Sequence, residues 1–216
     1  MNVIVQALEW IQFIGILCIL LWLYSGGAIM LGDISRKYES GNHGPGTIVN
    51  NPQDPGGKSY GSFQFALKTG TLDLYIQNSK YKSKFKGLQL GSAQFDAVWK
   101  QLAVTDTVSF LEDQQAFIKK THYDPVRLEA DKYKWPHNTA INEAIFSLSV
   151  QHGKAIKILQ SVNRKLGHSP TDLINLLYDA REAYVKTLKL PAPLLKALLN
   201  RYKRERQDVL ALLNKP

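Results

Sequence analysis

Glu39 and Asp54 are the residues of this chain whose types and spacing would do chemistry together. Glu39 stands in Tyr38-Glu39-Ser40-Gly41, where a helical stretch gives way to glycine, and Asp54 follows 15 residues later in Asp54-Pro55-Gly56-Gly57. Two carboxyl groups, one of them still protonated near neutral pH, are the equipment for cleaving a glycosidic bond. The protonated acid donates to the leaving oxygen, while the second activates water or attacks the sugar carbon. Partial burial beside an aromatic ring such as that of Tyr38 would raise the pKa of Glu39 enough for the acid role. Taken alone, Glu-Ser-Gly is more simply a solvated helix end, and Asp-Pro-Gly-Gly a turn. The stretch Ser59-Tyr60-Gly61-Ser62-Phe63-Gln64 turns the reading toward chemistry, because it adds hydroxyls and an amide to the same polar segment.

The elements that must hold these groups are mostly helices. Residues 40–58 carry five glycines and three prolines and cannot be helical, so this segment is loop or short hairpin. A helix is expected after Thr71, with Asp73 in its first turn, where the helix dipole favours an acid. Ser92 reads as the N-cap of the next helix, in which Phe95, Val98, Trp99 and Leu102 recur at helical spacing. Phe110 and Phe117 mark a further helix. Ile141, Ala144, Ile145 and Leu148 repeat the spacing and point to an end at Gly153. Pro170 and Pro193 suit the first turns of the last two helices. The expected fold is therefore mainly α, one helical domain over 33–216 with a small irregular or β-containing lobe near the cleft.

The N-terminus reads differently. From Trp10 to Gly32 there are 23 residues without a charge, rich in Ile, Leu, Phe and Trp. At ~1.5 Å per residue this run is long enough for a bilayer core of ~30 Å. No basic segment precedes it, so an uncleaved membrane helix over 1–32 is favoured over a signal peptide or an amphipathic partner helix. Arg36 and Lys37 follow the run closely, which by charge bias would leave the domain on the cytoplasmic side. A wall-degrading enzyme would instead need the periplasmic side of a bacterial inner membrane.

The block Lys37-Tyr38-Glu39-Ser40-Gly41, Gly44-Pro45-Gly46-Thr47 and Asp54 to Gln64 resembles phage and phage-like peptidoglycan hydrolases. More distantly, it is similar to the goose-type lysozyme and soluble lytic transglycosylase superfamily. Tyr123-Asp124-Pro125-Val126, Ser149 to Gly153 and Leu176 to Arg181 look like the helical core of the same group. The resemblance implies a lysozyme-like, bacteriolytic endolysin or wall-penetrating glycosidase, with Glu39 as general acid and Asp54 as second carboxylate. Ser59, Tyr60, Gly61 and Gln64 would contact the sugar. Phe63 before Gln64 departs from the usual Tyr-x-Gln or Met-Gln. Two alternatives stay open: a lytic transglycosylase using Glu39 alone, and a non-catalytic, membrane-anchored glycan-binding or virion structural protein.

Gln151, His152 and Tyr178 complete the expected substrate contacts, although a histidine in the last turn of a helix also serves simply against the dipole. No His-Glu-x-x-His or Cys-x-x-Cys occurs, Cys18 is the single cysteine, and neither a cofactor nor a metal is expected. The net charge of +9 favours a polyanionic partner. Lys186, Lys189, Lys196, Arg201, Lys203, Arg204 and Arg206 gather toward the C-terminus with little aromatic interleaving, so a specific nucleic-acid partner is not indicated. Bacterial peptidoglycan, whose peptides carry carboxylates, is the expected partner, together with a membrane through the N-terminal helix.

Overall fold

A computed structural model describes residues 30–39, 44–50, 56–162 and 168–214. The chain divides into two units, Met1–Met30 and Leu31–Pro216, and of the first only Met30 is among the described residues. The apolar run expected to form a membrane helix therefore lies almost wholly outside them, as do Ser40–His43 and Asn51–Pro55. Among the described residues no helix is long and apolar enough to cross a membrane.

The second unit is mainly helical. Helix α1 (Asp33–Glu39) is followed by a small antiparallel sheet, β1 (Ile48–Asn50), β2 (Lys58–Tyr60) and β3 (Phe65–Ala66). The sheet order is β1-β2-β3, with Ile48 opposite Tyr60 and Tyr60 opposite Phe65. Then come α2 (Thr71–Asn78), α3 (Ala93–Thr105), α4 (Thr107–Ile118), α5 (Asp124–Lys132), α6 (Thr139–Gln151), α7 (Ala155–Val162), α8 (Pro170–Lys186) and α9 (Ala192–Ala211).

Local sequence explains most of these boundaries. The Ser92 side chain accepts from the Phe95 amide and caps α3. Ser169 and Asp172 form a reciprocal capping box on α8, with Pro170 in the first turn where its missing N–H costs nothing. Helix α6 stops one residue before the expected glycine end: His152, with extended backbone, is its C-cap and Gly153 belongs to the turn beyond.

Two cores hold the unit. Tyr60, Phe65, Tyr75, Phe85, Phe95, Trp99 and Phe110 form a connected set of ring contacts between the sheet and α2 to α4. Phe65 and Tyr75 stack at 4.4 Å and 5°. The second core surrounds α6, which is buried from Ala140 to Ser149 apart from Asn142 and packs against α1, α7, α8 and α9. A helix enclosed on all sides should be apolar all round. Glu143, Ser147 and Ser149 break that rule, and each breach is answered by a hydrogen bond.

Candidate functional site

The polar segment singled out by sequence is fastened to the aromatic core. Pro45 O accepts from Trp99 Nε1 at 2.9 Å and from Gln114 Nε2 at 3.1 Å, and the Gln114 carbonyl accepts from the Ser62 amide at 3.1 Å. Gln114 thus ties residues 44–50 to the β2–β3 turn. Gly61 is required there: its φ is +76°, and a Cβ would meet the Gln114 side-chain oxygen and, at 3.1 Å, the Trp99 ring. On β2, Lys58 Nζ pairs with Asp96 at 2.8 Å and the Tyr60 hydroxyl donates to the same carboxylate at 2.6 Å.

Helix α1 is fastened at its start. Buried Glu143 accepts from the amides of Gly32 at 2.5 Å and Ile34 at 2.9 Å, satisfying two of the donors that a helix N-terminus leaves open. Burial pushes the Glu143 carboxyl up to about 7 against the pull of those two amides. The Phe146 ring is the shared floor of the two pieces: it lies against Gly32 and 6.2 Å from the Phe63 ring of the β2–β3 turn.

The far end of α1 meets α9. Lys37, Tyr38, Arg204, Gln207 and Asp208 line an open pocket of about 450 Å³. The Tyr38 hydroxyl donates to Asp208 at 2.7 Å, and Lys37 Nζ pairs with the same carboxylate oxygen at 2.7 Å. The Tyr38 ring has cationic groups 5.4 Å (Lys37), 5.8 Å (Arg201) and 5.9 Å (Arg204) from its centre. Such a ring offers a flat apolar face within a positive field. Burial first, and then the bond to Asp208, push the Tyr38 phenol above its ordinary range, so it remains a donor.

Beneath this pocket runs a buried ionic network. Arg181 and Glu205 pair at 2.9 Å with neither side chain exposed. Glu205 also accepts from Ser147 and, at 2.8 Å, from Tyr178, while Arg201 Nε reaches its other oxygen at 3.2 Å. The Arg181 guanidinium lies between the rings of Tyr178 (4.7 Å) and Tyr202 (4.6 Å). Burial works to raise Glu205, but Arg181 and Arg201 outweigh it and hold the carboxyl down at about 2.

The expected site residues fall into three groups. Glu39 ends α1, and Asp54 lies outside the described residues. Gln64 is half-buried in left-handed backbone at the β2–β3 turn, its amide donating to Gly61 O at 2.9 Å. Ser59, Tyr60, Gly61, His152 and Tyr178 are buried inside the fold, and Gln151 is half-buried at the end of α6. Tyr60 and Tyr178 are both fully enclosed and spend their hydroxyls on Asp96 and Glu205, leaving no surface for a glycan. Gln151 accepts from Arg181 at 2.7 Å, and buried His152 shares a 3.0 Å hydrogen bond with Tyr202. Burial and then the field of Arg181 and Arg201 lower His152 to about 4, so it is neutral at physiological pH.

Sequence reasoning passed over Gln114 and Glu143, and took Arg204 only as one of the C-terminal basic cluster. Gln114 stands in the stripe that Phe110 and Phe117 define, and Glu143 between Ile141 and Ala144. A polar residue at a core position of a helical repeat was the available signal. Among the described residues no cluster of three or more His, Cys, Asp or Glu is arranged to hold a metal ion.

Residues 31–206 match the family described as type VI secretion system spike protein VgrG3-like, C-terminal. Among curated proteins, the type VI secretion system spike protein VgrG3 of Vibrio cholerae serotype O1 is 35% identical over 181 residues, which cover 80% of this chain and 18% of that protein. The chain thus spans about a fifth of the length of this relative.

These matches correct several expectations. The family is the VgrG3-like C-terminal one in place of phage or goose-type lysozymes, and what it and the relative name is a secretion spike, not a glycosidase. The assignments as lysozyme, endolysin or lytic transglycosylase, with Glu39 and Asp54 as catalysts, are accordingly not retained. The location on a bacterial inner membrane falls as well. The matching family is a secretion-system spike component, and no described helix is able to span a bilayer.

Proposed function

The chain belongs to the type VI secretion system spike protein VgrG3-like, C-terminal family, and we propose that its Leu31–Pro216 unit binds bacterial peptidoglycan as a module of a spike-type protein. The observation that carries this reading is the pocket where α1 meets α9. There the ring of Tyr38 is flanked by Lys37, Arg201 and Arg204. An aromatic face stacks on the apolar side of a sugar ring, while cations attract the carboxylates of wall peptides. A chain of net charge +9 raises the local concentration of such a polymer around the whole molecule.

The surrounding architecture supports a preformed site. Glu143 fixes the start of α1, the Arg181–Glu205 network fixes α9 against α6 and α8, and the pocket lies where these two fixed helices meet. Binding by such a site orders few side chains and keeps the entropic cost of association low.

Co-sedimentation of the full chain with purified peptidoglycan sacculi tests the reading. The expected result is retention in the pellet, weakened by Tyr38→Ala and by added salt. Equal recovery in the supernatant with and without sacculi contradicts it.

A further inference from the structure

Within the pocket where α1 meets α9, the charges are unequally committed. Asp208 is already engaged twice, by Lys37 Nζ and by the Tyr38 hydroxyl, both at 2.7 Å. Lys37 is half-exposed and neutralises that acid at the rim. Arg204 lines the same pocket, is exposed, and pairs with no acid among the described residues; the Tyr38 ring is its neighbour at 5.9 Å. Gln207 adds a neutral amide on the same face of α9, three residues along, where helical side chains are neighbours. Arg201, one turn earlier, is instead turned inward, with its Nε on Glu205.

We propose that Arg204 and Gln207 form a carboxylate subsite against the ring of Tyr38, and that its ligand is the free carboxylate of a wall peptide stem. This rests on the peptidoglycan reading above and names the group that the pocket selects. The charge arithmetic favours an anion: Lys37 and Arg204 against Asp208 leave one positive charge, and it resides on Arg204. The shape of the donors favours a carboxylate. A guanidinium presents two parallel N–H groups to two oxygens, and the Gln207 amide supplies a third donor. Tyr38 contributes a flat apolar wall for the portion of the ligand that follows the carboxylate. The phenol stays a donor and is already spent on Asp208, so it adds no repulsion toward an incoming anion.

The test is titration of the full chain with N-acetylmuramoyl-L-alanyl-D-isoglutamine, with the same compound amidated at its free carboxyl, and with inorganic phosphate. Sacculi binding is measured in parallel. The wild-type chain is expected to bind the free acid at least tenfold more tightly than the amide. Arg204→Gln is expected to erase that preference. Lys203→Gln, which removes a neighbouring exposed cation outside the pocket, should keep the preference and so excludes a net-charge effect. Equal affinity for acid and amide, survival of the preference in Arg204→Gln, or displacement of the acid by phosphate at equal concentration each overturns the subsite. If sacculi are bound but acid and amide are not distinguished, only this inference fails. If the wild-type chain binds no sacculi, the reading on which it rests fails first.

Discussion

Arg181 and Glu205 face each other at 2.9 Å with both side chains wholly enclosed, joining α8 to α9 through a buried ion pair. Removing both charges from water is expensive, and the pair persists because Ser147, Tyr178 and Arg201 supply further hydrogen bonds to the carboxylate. Breaking it from one side leaves an uncompensated buried charge. Arg181→Met is expected to destabilise the fold by about 3–5 kcal/mol in urea unfolding. The double variant Arg181→Met, Glu205→Met is expected to lose distinctly less than the single one. A double variant worse than the single would show that the pair itself, rather than the orphaned carboxylate, carries the stability.

This network was illegible in the sequence for a physical reason. Its members at 147, 178, 181 and 205 lie on three helices, and no local spacing records which of their faces will meet. What was legible was local: the Ser92 cap, proline in the first turn of α8, and the stripe of Phe95, Trp99 and Leu102, all buried. Tyr178 illustrates the limit. Within Leu176 to Arg181 it was expected as a substrate contact, yet its hydroxyl is committed to Glu205, 27 positions away. The glycine-rich segment was legible as non-helical, but its anchoring by Gln114 and Trp99 comes from residues 54 and 69 positions from Pro45.

Glu143 and His152 make opposite contributions to stability against pH. The folded Glu143 carboxyl holds its proton to about 7, whereas an ordinary glutamate releases it near 4.5. Its contribution is thus fully present below 4.5 and lost as pH rises through 7. His152, lowered to about 4 from 6.5, contributes stability above 6.5 that is lost as pH falls through 4. In Glu143→Gln the first dependence disappears while the second remains. Between pH 4.5 and 7 the stability of this variant relative to wild type should rise by about 3 kcal/mol, read from urea midpoints across that range. A difference that stays flat with pH would mean that the two α1 amides offset the cost of burial.

Gly61 and Gly70 separate steric crowding from backbone strain. Both have φ near +80°, but a Cβ at Gly61 would meet Gln114 and Trp99, whereas one at Gly70 meets nothing within 4 Å. Gly61→Ala should cost about 2 kcal/mol more than Gly70→Ala, or roughly 5 °C in melting temperature. Equal losses would indicate that the Gln114 side chain swings away at no cost and is not a rigid tie between the two polar segments.

The central claim is that this unit binds bacterial peptidoglycan through the pocket between α1 and α9. The most direct measurement is a binding isotherm of the full chain on purified sacculi, with Tyr38→Ala and Arg204→Gln alongside and folding checked by circular dichroism. The account predicts saturable binding for the wild type and a loss of at least tenfold for each folded variant. Isotherms that coincide for all three proteins, or no saturable binding by the wild type, would contradict it.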